Sequence, residues 1–259
     1  MSDPRTTAPP GTGVPRMIGR GRAGLRRDPS PHAVQDNELL FGDIFSVFAV
    51  WPDGWFHGQS AYDGYVGYIR SDALVDPVAT THRVTVLSTP LLEGPVIRAA
   101  TRELLPLNAQ VQVLELIDGF ARIAPEGFVW AEHLAPLDRF APDWVATAER
   151  FLGAPYVWGG KTHHGVDCSG LIQVSLAGAG IRSPRDADQQ EAALGTDVTV
   201  LPRRRGDLIF WNGHVGLMLD ETRLLHANAF HMQVEIEPLA MAIDRIAPVA
   251  GPVTSIRRL

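Results

Sequence analysis

One stretch of this chain occurs twice, and that duplication limits the folds open to it more than any other feature. The turn Asp53-Gly54-Trp55, set in LFGDIFSVFAV and WFHGQSAYDGYVGYI, returns 65 positions later as Asp118-Gly119-Phe120 in NAQVQVLELIDGFARIAPEGFVWAEHL. Gly64-Tyr65-Val66 is answered by Gly127-Phe128-Val129, and Leu74 by Leu134. Within each copy, β-branched and aromatic residues alternate with polar ones between Asp-Gly turns, the pattern of short strands joined by hairpins. A repeat of this length is too long for a solenoid unit and suits two copies of a small β-barrel domain.

After Pro142 the texture changes. Asp143 is placed to cap a helix over WVATAERFLG that Gly153 would end, and the glycine-punctuated loop APYVWGGKTHHGVD follows. DCSGLIQVSLAGAG predicts a second helix, with Gly178 and Gly180 at its end, and a short helix is expected from Asp188 to Leu194. GDLIFW, HVGLMLD, RLLHAN and MQVEIE then read as four strands in a meander, so helices followed by strands predict an α+β domain. The expected boundaries are a flexible arm over 1–32, β-domains over 33–78 and 79–138, and the α+β domain over 139–259. The arm is expected to be mobile because its first thirty residues hold five Pro, five Gly and six Arg against two Asp, too little apolar surface to offset ordering.

The 259 residues carry a net charge of −6, which argues against a nucleic-acid partner. With 45% hydrophobic and 20% charged residues and no apolar run of membrane-spanning length, a soluble globular protein is expected, without a membrane span. The N-terminal segment has no apolar stretch of the secretory kind, which predicts a cytoplasmic protein. A single cysteine, Cys168, excludes both an internal disulfide and a cysteine zinc cluster.

Cys168 falls at the start of the predicted second helix, where unpaired N–H groups and the helix dipole favour a thiolate. His214 opens one predicted strand and His226 lies in the next, so neighbouring strands can carry a base and its orienting partner beside the thiol. The plainer alternative is an inert core cysteine. Against it stand the polar neighbours Asp167 and Ser169 and the preceding glycines Gly159, Gly160 and Gly165. Asp167 is equally a helix N-cap. Adjacent His163 and His164 point in different directions, so neither a metal nor any other cofactor is expected.

The blocks APYVWGG, GVDCSGLIQ, RRGDLIFW, HVGLML and LLHAN resemble those of the NlpC-type papain-like cell-wall cysteine peptidases, and the repeats resemble bacterial SH3 domains. The resemblance implies two small SH3-like β-barrels followed by a papain-like α+β domain, with Cys168 as nucleophile, His214 as general base and His226 as orienting residue. It further implies that Tyr156 and Trp158 shape the pocket and that Asp167 and Ser169 hold the substrate's amine and backbone. Asp186 matches a substrate-contacting aspartate, beside an Ala187 that is serine in some relatives. Tyr65 matches a tyrosine that closes the amine end, and Asp43 stands where a relative has the longer glutamate. The implied activity is that of a γ-D-glutamyl-L-diamino acid endopeptidase acting on peptidoglycan-derived peptides with a free N-terminal L-alanine, as in murein recycling. An N-acetylmuramoyl-L-alanine amidase, a broader wall hydrolase and a non-catalytic peptide-binding protein are the alternatives, separated by whether the substrate's amino terminus must be free.

Overall fold

Both copies of the repeat fold into seven-stranded antiparallel sheets with the same strand order. In the computed structural model, which describes residues 3–259, the first sheet is built from β1 (Val14–Ile18), β2 (Arg22–Arg26), β3 (Gln35–Leu40), β4 (Ile44–Trp51), β5 (Trp55–Ser60), β6 (Val66–Arg70) and β7 (Leu74–Val75). The second comprises β8 (His82–Val84), β9 (Ser88–Leu92), β10 (Thr101–Pro106), β11 (Gln110–Ile117), β12 (Phe120–Ala124), β13 (Phe128–Trp130) and β14 (Leu134–Pro136). The orders, β3-β2-β6-β5-β4-β1-β7 and β10-β9-β13-β12-β11-β8-β14, are superimposable strand for strand. The Asp-Gly turns supply the left-handed backbone that tight hairpins require: φ is 57° and 75° at Asp53 and Gly54, and 49° and 82° at Asp118 and Gly119.

Each copy is SH3-like, a sheet around its own core, and among the described residues its hydrogen-bonded order runs from one end strand to the other. The expected arm over 1–32 contains β1 and β2, so the first copy begins near Val14 and not at residue 33. Composition misled because the arginines alternate with core residues. Ala23 and Leu25 point inward, while Arg22 pairs with Glu38 at 2.9 Å and Arg27 with Asp36 at 2.7 Å. Farther upstream, the Arg5 carbonyl accepts the Val66 N–H at 2.8 Å, which ties this segment to β6 as well.

Ile18, Leu25, Leu39, Phe45, Tyr65 and Ile69 form the first core, and Val84, Leu105, Val111, Ile123 and Val129 the second. Phe41 follows β3 in the chain, yet its ring belongs to the second core, and its carbonyl accepts the Gln110 N–H at 2.8 Å. The two sheets therefore form one compact unit that ends at Phe140.

The second unit, Ala141–Leu259, begins with α1 (Trp144–Glu149), where Asp143 accepts from the Val145 and Ala146 amides at 2.8 and 3.0 Å. A small hairpin, β15 (Lys161–Thr162) and β16 (Gly165–Val166), leads into α2 (Cys168–Gly178) and α3 (Ala187–Ala193). The sheet follows as β17 (Thr196–Asp197), β18 (Leu208–Trp211), β19 (His214–Met218), β20 (Arg223–Asn228) and β21 (Gln233–Pro238), then α4 (Leu239–Ala250) and β22 (Ser255–Arg258). Its order is β17-β22-β18-β19-β20-β21, so the predicted meander is present and β22 is added at the edge of β18. Helix α2 is buried along nearly its whole length and packs on β19 and β20. Helix α4 presents Leu239, Ala242 and Ile246 to a core with Trp211 and Leu224. Among the described residues no helix is long and apolar enough to cross a membrane.

Truncating Phe41 to Ala removes a fully enclosed ring that joins the two sheets, and is expected to cost about 3–5 kcal/mol. Urea unfolding should show a lower midpoint, with the second sheet unfolding first. An unchanged midpoint would mean that Phe41 does not link the cores.

Candidate active site

The site is built at the start of α2. Asp167 is the N-cap, its Oδ1 accepting the Gly170 N–H at 2.7 Å, and its Oδ2 accepts the Gly159 N–H at 2.8 Å. Arg185, 1% exposed, completes a two-pronged ion pair with the same carboxylate at 2.9 and 2.6 Å and also donates to Ser169 Oγ at 3.0 Å. The glycine loop can reach α2 because Gly170 has no side chain: a Cβ there would lie 2.2 Å from the Gly160 carbonyl oxygen. Asp167, offered by the sequence to a substrate amine, thus already accepts five hydrogen bonds, the longest from Ser169 Oγ at 3.4 Å. An ammonium would have to displace one of them.

Cys168 is 7% exposed, and the backbone N–H groups of Val215 and Ser169 point at its sulfur. The thiolate that the helix terminus favours is opposed by its surroundings. Burial and the neighbouring Asp167 carboxylate outweigh those two amides and push the thiol up to about 12. Because Val215 follows His214 directly, the sulfur lies against the strand that carries the predicted base.

His214 and His226 meet as the sequence suggested. His214 Nε2 is 2.8 Å from His226 Nδ1, and His226 Nε2 is 2.7 Å from Glu237 Oε1. His226 is completely buried, and Arg245 pairs with the same Glu237 oxygen. The line of bonds fixes both tautomers. Burial raises the Glu237 carboxyl, but His226 and Arg245 outweigh it and hold the group ionised, so it can only accept and His226 carries its proton on Nε2. His226 Nδ1 then accepts from His214 Nε2–H, which leaves His214 Nδ1 with a lone pair. Burial, with the neighbouring His226 and Arg245, holds His214 down to about 3, which favours its neutral form.

Gly216 makes the histidine contact possible. It lies on the same face of β19 as His214, and a Cβ there would come within 2.9 Å of Leu224 and 3.2 Å of His226 Cβ. The sequence reading missed Gly216, Arg185, Glu237 and Arg245. Glycine inside a β-run was the available signal for the first.

Of the remaining predicted residues, Tyr156 is half-buried, its phenol raised by burial and by the nearby Cys168 and Asp167. Ser169 is buried and bonded to Arg185. Trp158 is 59% exposed beside this loop. Asp186 caps α3 in a capping box with Gln189. Two candidates belong to the first unit. Asp43 Oδ2 accepts the Leu40 N–H at 2.9 Å in the turn before β4, and Tyr65 packs in the first core.

A lone thiol at a helix start, a neutral imidazole of fixed tautomer and an orienting second imidazole define a cysteine peptidase of papain-like construction. The comparisons with known proteins give the family. The NlpC/P60 family matches residues 153–244, and the bacterial dipeptidyl-peptidase Sh3 domain matches residues 25–74. The γ-D-glutamyl-L-lysine dipeptidyl-peptidase of Bacillus subtilis (strain 168) is 30% identical over 253 residues, covering 88% of this chain and 82% of that protein. Dipeptidyl-peptidase 6 of Lysinibacillus sphaericus is 28% identical over 241 residues, 84% of this chain and 89% of its own. An NlpC/P60 family protein of Bacillus cereus ATCC 10987, known from its crystal structure, shares the fold with a TM-score of 0.79 at 18% identity, covering 95% of this chain and 99% of that one. The chain belongs to the NlpC/P60 family of cell-wall peptidases.

Gly216→Ala should push His226 off His214 and lower kcat by about tenfold to a hundredfold, while the melting temperature changes little. Parallel kinetics and calorimetry test this, and an unaltered kcat would remove Gly216 from the site. His214 also sets an acid limit. His214 sits below its unfolded value of about 6.5, so its contribution to stability is whole above that pH and is lost as the pH falls toward 3. Urea midpoints measured from pH 7 to 4.5 should fall less steeply in His214→Gln than in the wild type.

Proposed function

We propose that this protein hydrolyses the bond between γ-D-glutamate and an L-diamino acid in peptidoglycan-derived peptides that have a free N-terminal L-alanine. The observation that carries the reading is the line of bonds from Glu237 through His226 to His214, on the strand whose Val215 amide faces a solitary buried thiol. The names of the two full-length relatives support it.

In the proposed reaction Cys168 Sγ attacks the γ-glutamyl carbonyl carbon as its proton passes to His214 Nδ1. The resulting imidazolium gives that proton to the departing amine, which leaves a thioester on Cys168. A water then loses a proton to the same nitrogen, attacks the thioester and releases L-Ala-D-Glu with the thiol restored. His226 keeps Nδ1 of His214 in line throughout.

Tyr156, Trp158, Ser169 and Asp186 are the proposed pocket residues, and Asp43 and Tyr65 are the proposed readers of the free amine. Removing a carboxylate from a bound ammonium weakens binding through the loss of a charged hydrogen bond. We also propose that the protein works in the cytoplasm in murein recycling, a compartment that keeps its single thiol reduced.

The test is mass spectrometry of digests of L-Ala-γ-D-Glu-L-Lys, its diaminopimelate analogue and their N-acetylated forms. Free peptides should be cut and acetylated ones nearly inert. Equal cleavage of both would favour a broader wall hydrolase, and exclusive cleavage of muramoyl-capped peptides an amidase. Cys168→Ala should lower turnover by at least about a thousandfold without unfolding the protein. Asp43→Ala should raise KM for the free peptide while leaving the thiol's reactivity toward iodoacetamide unchanged.

A further inference from the structure

We propose that Glu237 and Arg245 form a charge-setting pair behind the histidines, in which Glu237 strengthens His214 as a base and Arg245 limits that strengthening. The proposal rests on the cysteine-peptidase reading above and assigns positioning roles to two residues that do not touch the thiol.

The geometry is that of a relay. Glu237 lies on β21 in the register position opposite Leu224, one strand outward from His226 on β20 and two from His214 on β19. Only its Oε1 is used toward His226, at 2.7 Å, and the same oxygen receives Arg245 from α4. Arg245 is held from its other side by the Phe230 ring, 4.5 Å from the guanidinium carbon. The charge on Glu237 is therefore neither solvated away nor cancelled outright. It is divided between an imidazole that can become cationic and a guanidinium that always is.

When Cys168 gives its proton to His214 Nδ1, the ring becomes an imidazolium with a second proton on Nε2. That proton lies in the 2.8 Å hydrogen bond between His214 Nε2 and His226 Nδ1 and can shift onto the latter, so the positive charge comes to rest on the ring that donates to Glu237. The nucleophile and base remain where they were, and no proton leaves the set. Ionising groups face this relay from every element packed around it: Cys168 on α2 with Asp167 and Arg185 behind it, Tyr156 in the glycine loop, His231 after β20, Glu237 on β21 and Arg245 on α4. Of these, Glu237 is the anion hydrogen-bonded to a histidine of the relay, and Arg245 the cation that shares its oxygen.

The two residues should act in opposite directions, which no purely structural role would produce. Glu237→Gln keeps an oxygen to accept from His226 and removes the charge. Arg245→Met keeps the packing stem and leaves the Glu237 charge wholly to His226. The readout is the rate of Cys168 alkylation by iodoacetamide between pH 6 and 10 in the full chain, together with kcat on the free tripeptide and the melting temperature. One pK unit of base strength corresponds to about a tenfold change in the ion-pair population. At pH 7 the Glu237→Gln protein should alkylate about tenfold more slowly, with the deficit shrinking as the pH is raised and hydroxide takes the thiol proton directly. Arg245→Met should alkylate about threefold faster at the same pH. Profiles that coincide with wild type, or two variants that slow alkylation alike in step with lost stability, would overturn the proposal and leave the peptidase reading standing. A wild-type protein that alkylates at Cys168 yet cuts no peptide would instead overturn that reading.

Discussion

The buried ion pair between Arg185 and Asp167 is the constraint on which the catalytic unit depends. A carboxylate at a helix N-cap and a guanidinium with almost no exposure each lose their hydration, and such a pair is tolerated only when its remaining hydrogen-bond capacity is filled. Here it is filled from three directions: the amides of Gly159 and Gly170 and the hydroxyl of Ser169. The pair thereby pins the glycine loop, the first turn of α2 and the segment before α3 to a single point. Cys168, one residue after Asp167, has its position set by that point. Removing either charge would leave the other buried alone, so the pair acts as a geometrical lock on the nucleophile.

The electrostatic cost of this lock falls on the thiol. A carboxylate next to Cys168 opposes a thiolate, and burial opposes it further. The protein offsets this at a distance, through two imidazoles in series and an anion behind them. The site therefore has two charged centres of opposite function: Asp167 with Arg185, which places atoms, and Glu237 with Arg245, which sets proton affinity.

Much of this was legible in the sequence, and the rest was hidden for identifiable reasons. The duplicated sheets could be read because an Asp-Gly hairpin imposes a backbone that few other sequences adopt. Cys168, His214 and His226 could be read because a polar setting for a lone cysteine and histidines on successive strands are local patterns. Strands β1 and β2 were hidden because arginine, proline and glycine mask an alternation of only five residues each, and the acids that partner those arginines lie in later strands. Arg185, Glu237 and Arg245 were hidden because their partners lie 18, 11 and 8 positions away. An exposed and a buried arginine look alike until the chain is folded. For Asp167 the sequence left N-cap and ligand equally open, and the hydrogen bonds it makes fill the first role.

Covalent catalysis by Cys168 is the centre of this account, and rapid-quench mass spectrometry of the intact protein mixed with L-Ala-γ-D-Glu-L-Lys tests it most directly. The account predicts an acyl-enzyme heavier by one L-Ala-γ-D-Glu residue, located on Cys168 by fragmentation, that forms and decays within turnover and is absent from Cys168→Ala. Turnover of the tripeptide with no adduct at any quench time, or the same turnover in the Cys168→Ala protein, would contradict it.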